Sequence, residues 1–224
     1  MSQTLAILIP AFNAEKTLPQ LLERVRKVVP DALCVVVDDG SQDSTESVAR
    51  ENGAVVVHHA CNCGKGAALR TGFSYLLSIP DVCYIITMDA DLQHIPEDIP
   101  SFLKVEEQTN ADIVIGKRQR KGSKMPLHRR LSNTLTSWLV STRTKLPILD
   151  SQCGYRLIRR NVIEVIQLES NGYEAETEFL LKAARNGFTI AHAPIQTVYN
   201  NEKSYMTNWH TTINFLNVLL KEYA

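Results

Sequence analysis

The chain has no apolar run approaching the roughly 20 residues that cross a bilayer as a helix, and no internal repeat, low-complexity tract or clear linker. A helical membrane span and a repeat array are therefore not expected, and any membrane contact should be peripheral. Net charge is missing too, since 24 basic side chains balance 24 acidic ones. That balance argues against a wholesale nucleic-acid binder. Locally it breaks down: from Ile113 to Leu149 there is no Asp or Glu, while Lys117, Arg118, Arg120, Lys121, Lys124, Arg129, Arg130, Arg143 and Lys145 all fall there. Something anionic is expected to dock on that stretch. No secretory leader precedes the five cysteines, an odd number lying mostly in apolar runs. Reduced thiols and a cytoplasmic setting follow as expectations, with the cytoplasmic membrane face as the peripheral variant. Cys61 and Cys63 stand near His58 and His59, but zinc sites use ligand pairs at fixed spacings and no second pair follows.

What is present is an alternation. "LAILIPAFN" reads as an apolar strand stopped by Pro10, followed by Leu18, Leu21, Leu22, Val25 and Val28 at helical spacing. "ALCVVVDDG", "AVVVHH", "VCYIITMDA" and "ADIVIGK" are further strands, separated by helices in "SQDSTESVAREN", "GKGAALRTGFSYLL" and "EDIPSFLKVEEQ". Unbroken Val and Ile strands between helices predict a three-layer α/β/α fold with a mainly parallel central sheet, buried on both faces. Beyond Gly116 the alternation ends. An amphipathic basic helix is expected over Leu127 to Arg143, then a polar turn "LDSQCGYRLIRR", a helix around "AETEFLLKAARNG", a strand around "TIAHAPIQTVY" and a last helix from about Met206 to Tyr223, whose apolar face is expected to pack onto the sheet, with a membrane interface as the alternative. One domain is expected over residues 1–224, in two halves, 1–116 and 117–224.

Two acidic pairs close apolar strands: Asp38 and Asp39 after "CVVV", and Asp89 and Asp91 after "YIIT". Parallel sheets bind ligands beyond the carboxyl ends of their strands, so both pairs are expected in one crevice. Buried carboxylates need a cationic partner. Asp-x-Asp at a strand end suits Mg²⁺ or Mn²⁺, hard ions that take oxygen ligands and share them with phosphates. Two solvated loop acids are the plain alternative for Asp89 and Asp91, and helix capping is the plain alternative for Asp38, Ser41 and Asp43, with Asp43 or Ser44 as the expected cap. Lys65, between two glycines at a helix start, is placed to meet a phosphate, although "GKG" lacks the spacing of a phosphate-binding P-loop.

"LIPAFNAEKTL", "VVVDDGSQDST", "NCGKGAALRTG", "ITMDADLQHIPED" and "DIVIGKR", in this order, resemble the family 2 glycosyltransferases, which have the GT-A nucleotide-sugar-binding fold. "PLHRRLSN", "DSQCGYRLIRR" and "NNEKSYM" are similar to the polyprenyl-phosphate branch, which includes dolichyl-phosphate mannose synthases. The resemblance implies Pro10, Phe12, Glu15, Asp38, Asp39, Lys65 and Asp89 around a UDP- or GDP-sugar. It also implies Asp89, Asp91 and Gln93 on the metal, and Arg118, Arg129, Arg130 and Lys203 on an acceptor phosphate. Asp89, Asp91 and Arg118 would carry the catalysis. A lipid phosphate is already a nucleophile and needs cationic clamps, which guanidinium forks suit. A sugar-hydroxyl acceptor would instead need a carboxylate base such as Glu174 or Glu176. Polymer synthesis is disfavoured because Gln-x-x-Arg-Trp is absent, and "PAFNAEKT" is not the Gly-rich opening loop of a nucleotidyltransferase.

Overall fold

The computed structural model describes residues 4–118, 127–196, 209–221 and 223, with backbone alone over 127–131 and 209–211. Among these, one sheet holds β1 (Thr4–Ala11), β2 (Leu33–Asp38), β3 (Val55–His58), β4 (Val82–Thr87), β5 (Ile113–Arg118), β6 (Arg156–Arg159) and β7 (Ile190–Ile195). Their spatial order is β3-β2-β1-β4-β6-β5-β7. β6 runs antiparallel to both β4 and β5, and every other pairing is parallel. The mixed α/β architecture matches the sequence expectation.

The helices are α1 (Leu18–Val28), α2 (Thr45–Glu51), α3 (Lys65–Leu77), α4 (Ile99–Thr109), α5 (Leu127–Thr144), α6 (Arg160–Val165), α7 (Ala175–Arg185) and α8 (Trp209–Leu220). They form two groups. α1 touches α2 and a 3₁₀ turn at Pro96–Asp98 that also touches α4, whereas α7 contacts α3, α5 and α8, and α3 contacts α6. α1 shows why a helix forms there: Leu18, Leu21, Leu22 and Val25 share one face and are buried, with Pro in the first turn where its missing N–H costs nothing. Burying each such side chain stabilises by roughly 1.5–3 kcal/mol. The strand centres Ile7 to Ile9, Val35 to Val37 and Ile113 to Ile115 are fully buried, as covering on both faces requires.

Three expectations need correction. β1 does not stop at Pro10: the strand continues to Ala11 against Asp38 of β2. Its ladder with β4 has already ended at Leu8 opposite Thr87, so the missing proline N–H falls where no β4 partner remains. "LDSQCGYRLIRR" is more than a turn, because its second half makes β6 and the start of α6. The strand escapes a pattern reading because arginines flank only two apolar residues, and Arg156 is buried by contacts made elsewhere in the fold. α8 was expected to pack its apolar face inward; Val218 and Leu219 do so, but Ile213, Leu216 and Leu220 form an exposed stripe.

Candidate active site

The carboxyl ends of β1, β2 and β4 bring the two acidic pairs together through one short piece of chain. Gly64 N donates to Asp39 Oδ2 at 2.8 Å, and the next residue, Lys65, lays its ammonium 2.5 Å from Asp89 Oδ1. The two strand ends are therefore linked through consecutive residues. Asp39 Oδ1 also accepts from Cys63 N at 2.9 Å and His59 Nδ1 at 2.7 Å. Asp38 accepts from Ser41 N at 3.0 Å, with His58 Nδ1 3.2 Å away. Gly40, at φ +73°, makes this close approach possible, because a Cβ there would fall on the Cys61 backbone.

Around the crevice mouth, Phe12 is 47% exposed beside Pro10 at the end of β1. Glu15 Oε2 accepts from Ser44 N at 3.0 Å, and Asp43 Oδ2 accepts from Glu15 N at 3.2 Å. Asp43 Oδ1 takes the Thr45 N–H, so Asp43 and Glu15 serve the start of α2 while Ser44 makes no side-chain cap. Ser41 accepts from Asn13 N rather than capping the helix.

Lys65 departs from its expected role. Its ammonium sits between Asp89 and Glu176, whose Oε1 is 2.6 Å away. Burial alone would lower the Lys65 pKa, but the two carboxylates outweigh it and raise it. Burial would likewise raise Asp89, yet Lys65 brings it down to about 2. The amides that open α3 are also committed, since Gly66 N and Ala67 N both donate to the Asn171 carbonyl. Gly154 permits the cluster: a Cβ there would lie 2.7 Å from Glu176 Oε1 and 2.9 Å from Lys65 Nζ.

Asp91 is the contrasting carboxylate. Its Oδ1 accepts from Gln93 N at 2.9 Å, while burial and the neighbouring charge of Asp89 push its pKa up. His94 is buried against Tyr155, rings stacked 5.0 Å apart. Its Nδ1 accepts the Asp89 N–H, so the proton of the neutral ring is on Nε2, and burial holds its pKa down. Oxygen donors from Asp89 and Asp91, with the amide of Gln93 beside them, fit a hard divalent cation, which would reverse the like-charge penalty on Asp91.

Arg118 at the end of β5 is held by Asp150, Nε to Oδ2 at 2.6 Å and Nη2 to Oδ1 at 2.7 Å. Asp150 is nearly buried and was not foreseen from sequence. Arg156, also unforeseen, is 3% exposed and donates to the carbonyls of Cys153, Ser151 and Glu176, with Nη2 3.5 Å from Glu176 Oε2. The signal was available only as two charged residues within the polar string "DSQCGYR". Arg129 and Arg130 lie on α5 where the backbone alone is described, and Lys203 lies outside the described residues.

The Asp150 segment is tied down by His192, whose Nε2 accepts from Leu149 N at 3.2 Å. Burial, with Lys117 nearby, holds the His192 imidazole down at about 4, against about 6.5 for a free one. The unfolded chain then binds more protons between those values, so stability falls as pH drops from about 6.5 toward 4. Allowing for partial exposure, a loss of about 2 kcal/mol is expected. Urea unfolding across that range should show it, and His192→Asn should flatten the acid limb.

The family model for glycosyl transferase family 2 matches residues 6–167. The chain is 35% identical over 203 residues to an undecaprenyl-phosphate mannosyltransferase of Micrococcus luteus, covering 85% of this chain and 82% of the relative. It is 32% identical over 210 residues to a polyprenol monophosphomannose synthase of Mycolicibacterium smegmatis, covering 87% and 77%. In structure it resembles glucosyl-3-phosphoglycerate synthase from Mycobacterium tuberculosis, solved with Mn²⁺, UDP and glucosyl-3-phosphoglycerate. The TM-score there is 0.77 at 19% identity, over 98% of this chain and 79% of the other. A mostly parallel sheet with two acidic strand ends at one crevice, a family match over most of the length and these relatives agree, and the chain belongs to glycosyl transferase family 2 as a GT-A glycosyltransferase.

Proposed function

We propose that this enzyme moves one sugar from a nucleotide-diphosphate donor, UDP- or GDP-linked, to a polyprenyl phosphate, with inversion and with Mg²⁺ or Mn²⁺. The observation that carries the reading is the acidic pair beyond β4, with Asp89 held by Lys65 and, through the adjoining Gly64 amide, next to Asp39. Two relatives whose names specify polyprenol-type phosphate products or acceptors supply the acceptor class.

Residues 1–116 supply the donor side. Exposed Phe12 offers a face for the base, Pro10, Glu15, Asp38 and Asp39 line base and ribose, and Lys65 exchanges part of its contact with Asp89 for the donor phosphate. Asp89, Asp91 and Gln93 would hold the ion, which when bound would supply positive charge to the diphosphate leaving group. Residues 117–224 supply the acceptor side, with Gly154 and Glu176 reaching back into the donor cluster. Asp150 sets the plane of the Arg118 fork, and Arg129, Arg130 and Lys203 add positive charge around the lipid phosphate. The phosphate oxygen attacks the anomeric carbon and the nucleotide diphosphate departs on the opposite side. No proton has to be removed from an ionised phosphate oxygen, so positioning and charge neutralisation supply the rate.

Glu176 makes a poor candidate for a general base, because both its oxygens face cations, Lys65 and Arg156. Glu174 Oε1 accepts only from nearby Gly172 N among the bonds described, at 3.2 Å, so Glu174→Gln is the cleaner variant for a hydroxyl-acceptor test. Offering short-chain polyprenyl phosphate, the corresponding polyprenol and a sugar acceptor side by side tests the assignment. Only the phosphate should be glycosylated, at an unchanged rate in Glu174→Gln; sugar-hydroxyl glycosylation lost in that variant would overturn it.

No helix among the described residues is long and apolar enough to cross a membrane. We assign membrane contact to the exposed apolar positions Leu135 and Trp138 of α5 and Ile213, Leu216 and Leu220 of α8. Leu216→Ser with Leu220→Ser should weaken sedimentation with anionic vesicles by about 10-fold or more, from the lost transfer free energy of two leucines. Binding unchanged in that variant would remove α8 from the contact.

A further inference from the structure

The loop between β3 and α3 carries two thiols that the proposed transfer does not use, next to Asp39, which it does. Cys61 and Cys63 are both exposed, with Sγ atoms 3.9 Å apart. Two thiolates on one tetrahedral zinc, each at about 2.3 Å, lie roughly 3.8 Å from each other. The pair already stands at a chelating separation, whereas a disulfide would need closure to about 2.05 Å and an oxidant.

The ligand missing from the local sequence comes from Asp39, the residue after β2. Ligand atoms of Asp39, His59 and Cys63 all lie within 4.8 Å of one another. Asp39 is fixed by the Cys63 and Gly64 amides and by His59. A carboxylate can only accept, so His59 donates from Nδ1, and the Thr71 hydroxyl, 2.8 Å away, donates to Nε2. Asp39 retains lone pairs for a metal, and His59 stands behind it as the kind of outer partner that orients metal ligands.

We propose that Cys61, Cys63 and Asp39, with His59 supporting Asp39, bind a thiophilic divalent ion of the zinc class, at a site that shares Asp39 with the proposed nucleotide contact but uses neither Asp89 nor Asp91. The fourth position is open to solvent. Sulfur donors select this ion class and not Mg²⁺ or Mn²⁺, which favour the all-oxygen donors at the end of β4. Binding releases the thiol protons to solvent, so affinity rises with pH.

The test uses the full chain, kept reduced with a phosphine, and Zn²⁺ alone titrated against a chromophoric chelator. Cd²⁺ serves as an optical probe through its sulfur-to-metal absorption band. About one ion per chain is expected, weakened by at least about 10-fold in Cys61→Ser and in Cys63→Ser, and unaffected by Cys83→Ala. Both replaced thiols are exposed, so these variants should keep the wild-type circular dichroism. Excess Mn²⁺ should leave the bound Zn²⁺ in place. Wild-type chain that binds no Zn²⁺, serine variants that bind it equally well, or displacement by Mn²⁺ would each overturn the site.

Discussion

Lys65→Met is expected to lose about 3–5 kcal/mol of stability in urea unfolding, the range for removing one partner of a buried ion pair. Lys65 is enclosed by Asp89 and Glu176 around Gly154, and each carboxylate faces it within 2.6 Å. Without the ammonium, buried Glu176 and partly exposed Asp89 confront each other with charges of one sign. Adding Glu176→Gln should recover part of the loss, and the double-mutant cycle isolates the coupling. Arg156 keeps Glu176 partnered on its other oxygen, so recovery is expected to be incomplete. Additive losses would show that the ammonium does not link the two carboxylates.

Asp91→Asn should behave in the opposite way. Burial and Asp89 already disfavour its charge, so removing that charge should leave metal-free stability unchanged or slightly higher. The cost should appear on adding Mn²⁺. Wild-type chain should gain thermal stability with Mn²⁺ and nucleotide diphosphate by mass action, about 2.7 kcal/mol at 100 times the dissociation constant, and the variant should gain little. Sugar transfer should fall about 10²- to 10³-fold, the scale of losing one preorganised electrostatic partner of the transition state. Equal Mn²⁺ stabilisation in the two proteins would place the ion elsewhere.

Much of the fold was legible because parallel strands buried on both faces leave an unmistakable pattern, as in Val35 to Val37. The crevice was legible for the same reason: strand ends in such sheets face a ligand, and Asp38, Asp39, Asp89 and Asp91 sit at strand ends. What stayed hidden depends on long-range contacts. Lys65 lies within reach of a phosphate by sequence, yet its charge is met by Glu176 of α7. Arg118 was foreseen as a clamp but not its buried anchor Asp150, 32 positions away. β6 was lost because Arg156 looks like a surface residue until Cys153, Ser151 and Glu176 supply its acceptors. Spacing alone also hid that Asp39 stands beside His59 and Cys63.

The most direct measurement is single-turnover transfer of label from UDP- and GDP-sugars to short-chain polyprenyl phosphate, with Mn²⁺ and with excess chelator. One donor should deliver label to the lipid phosphate in Mn²⁺, with none transferred in chelator and almost none by Arg118→Ala. Donor binding without label in the lipid, or transfer undiminished by the chelator, would contradict the account.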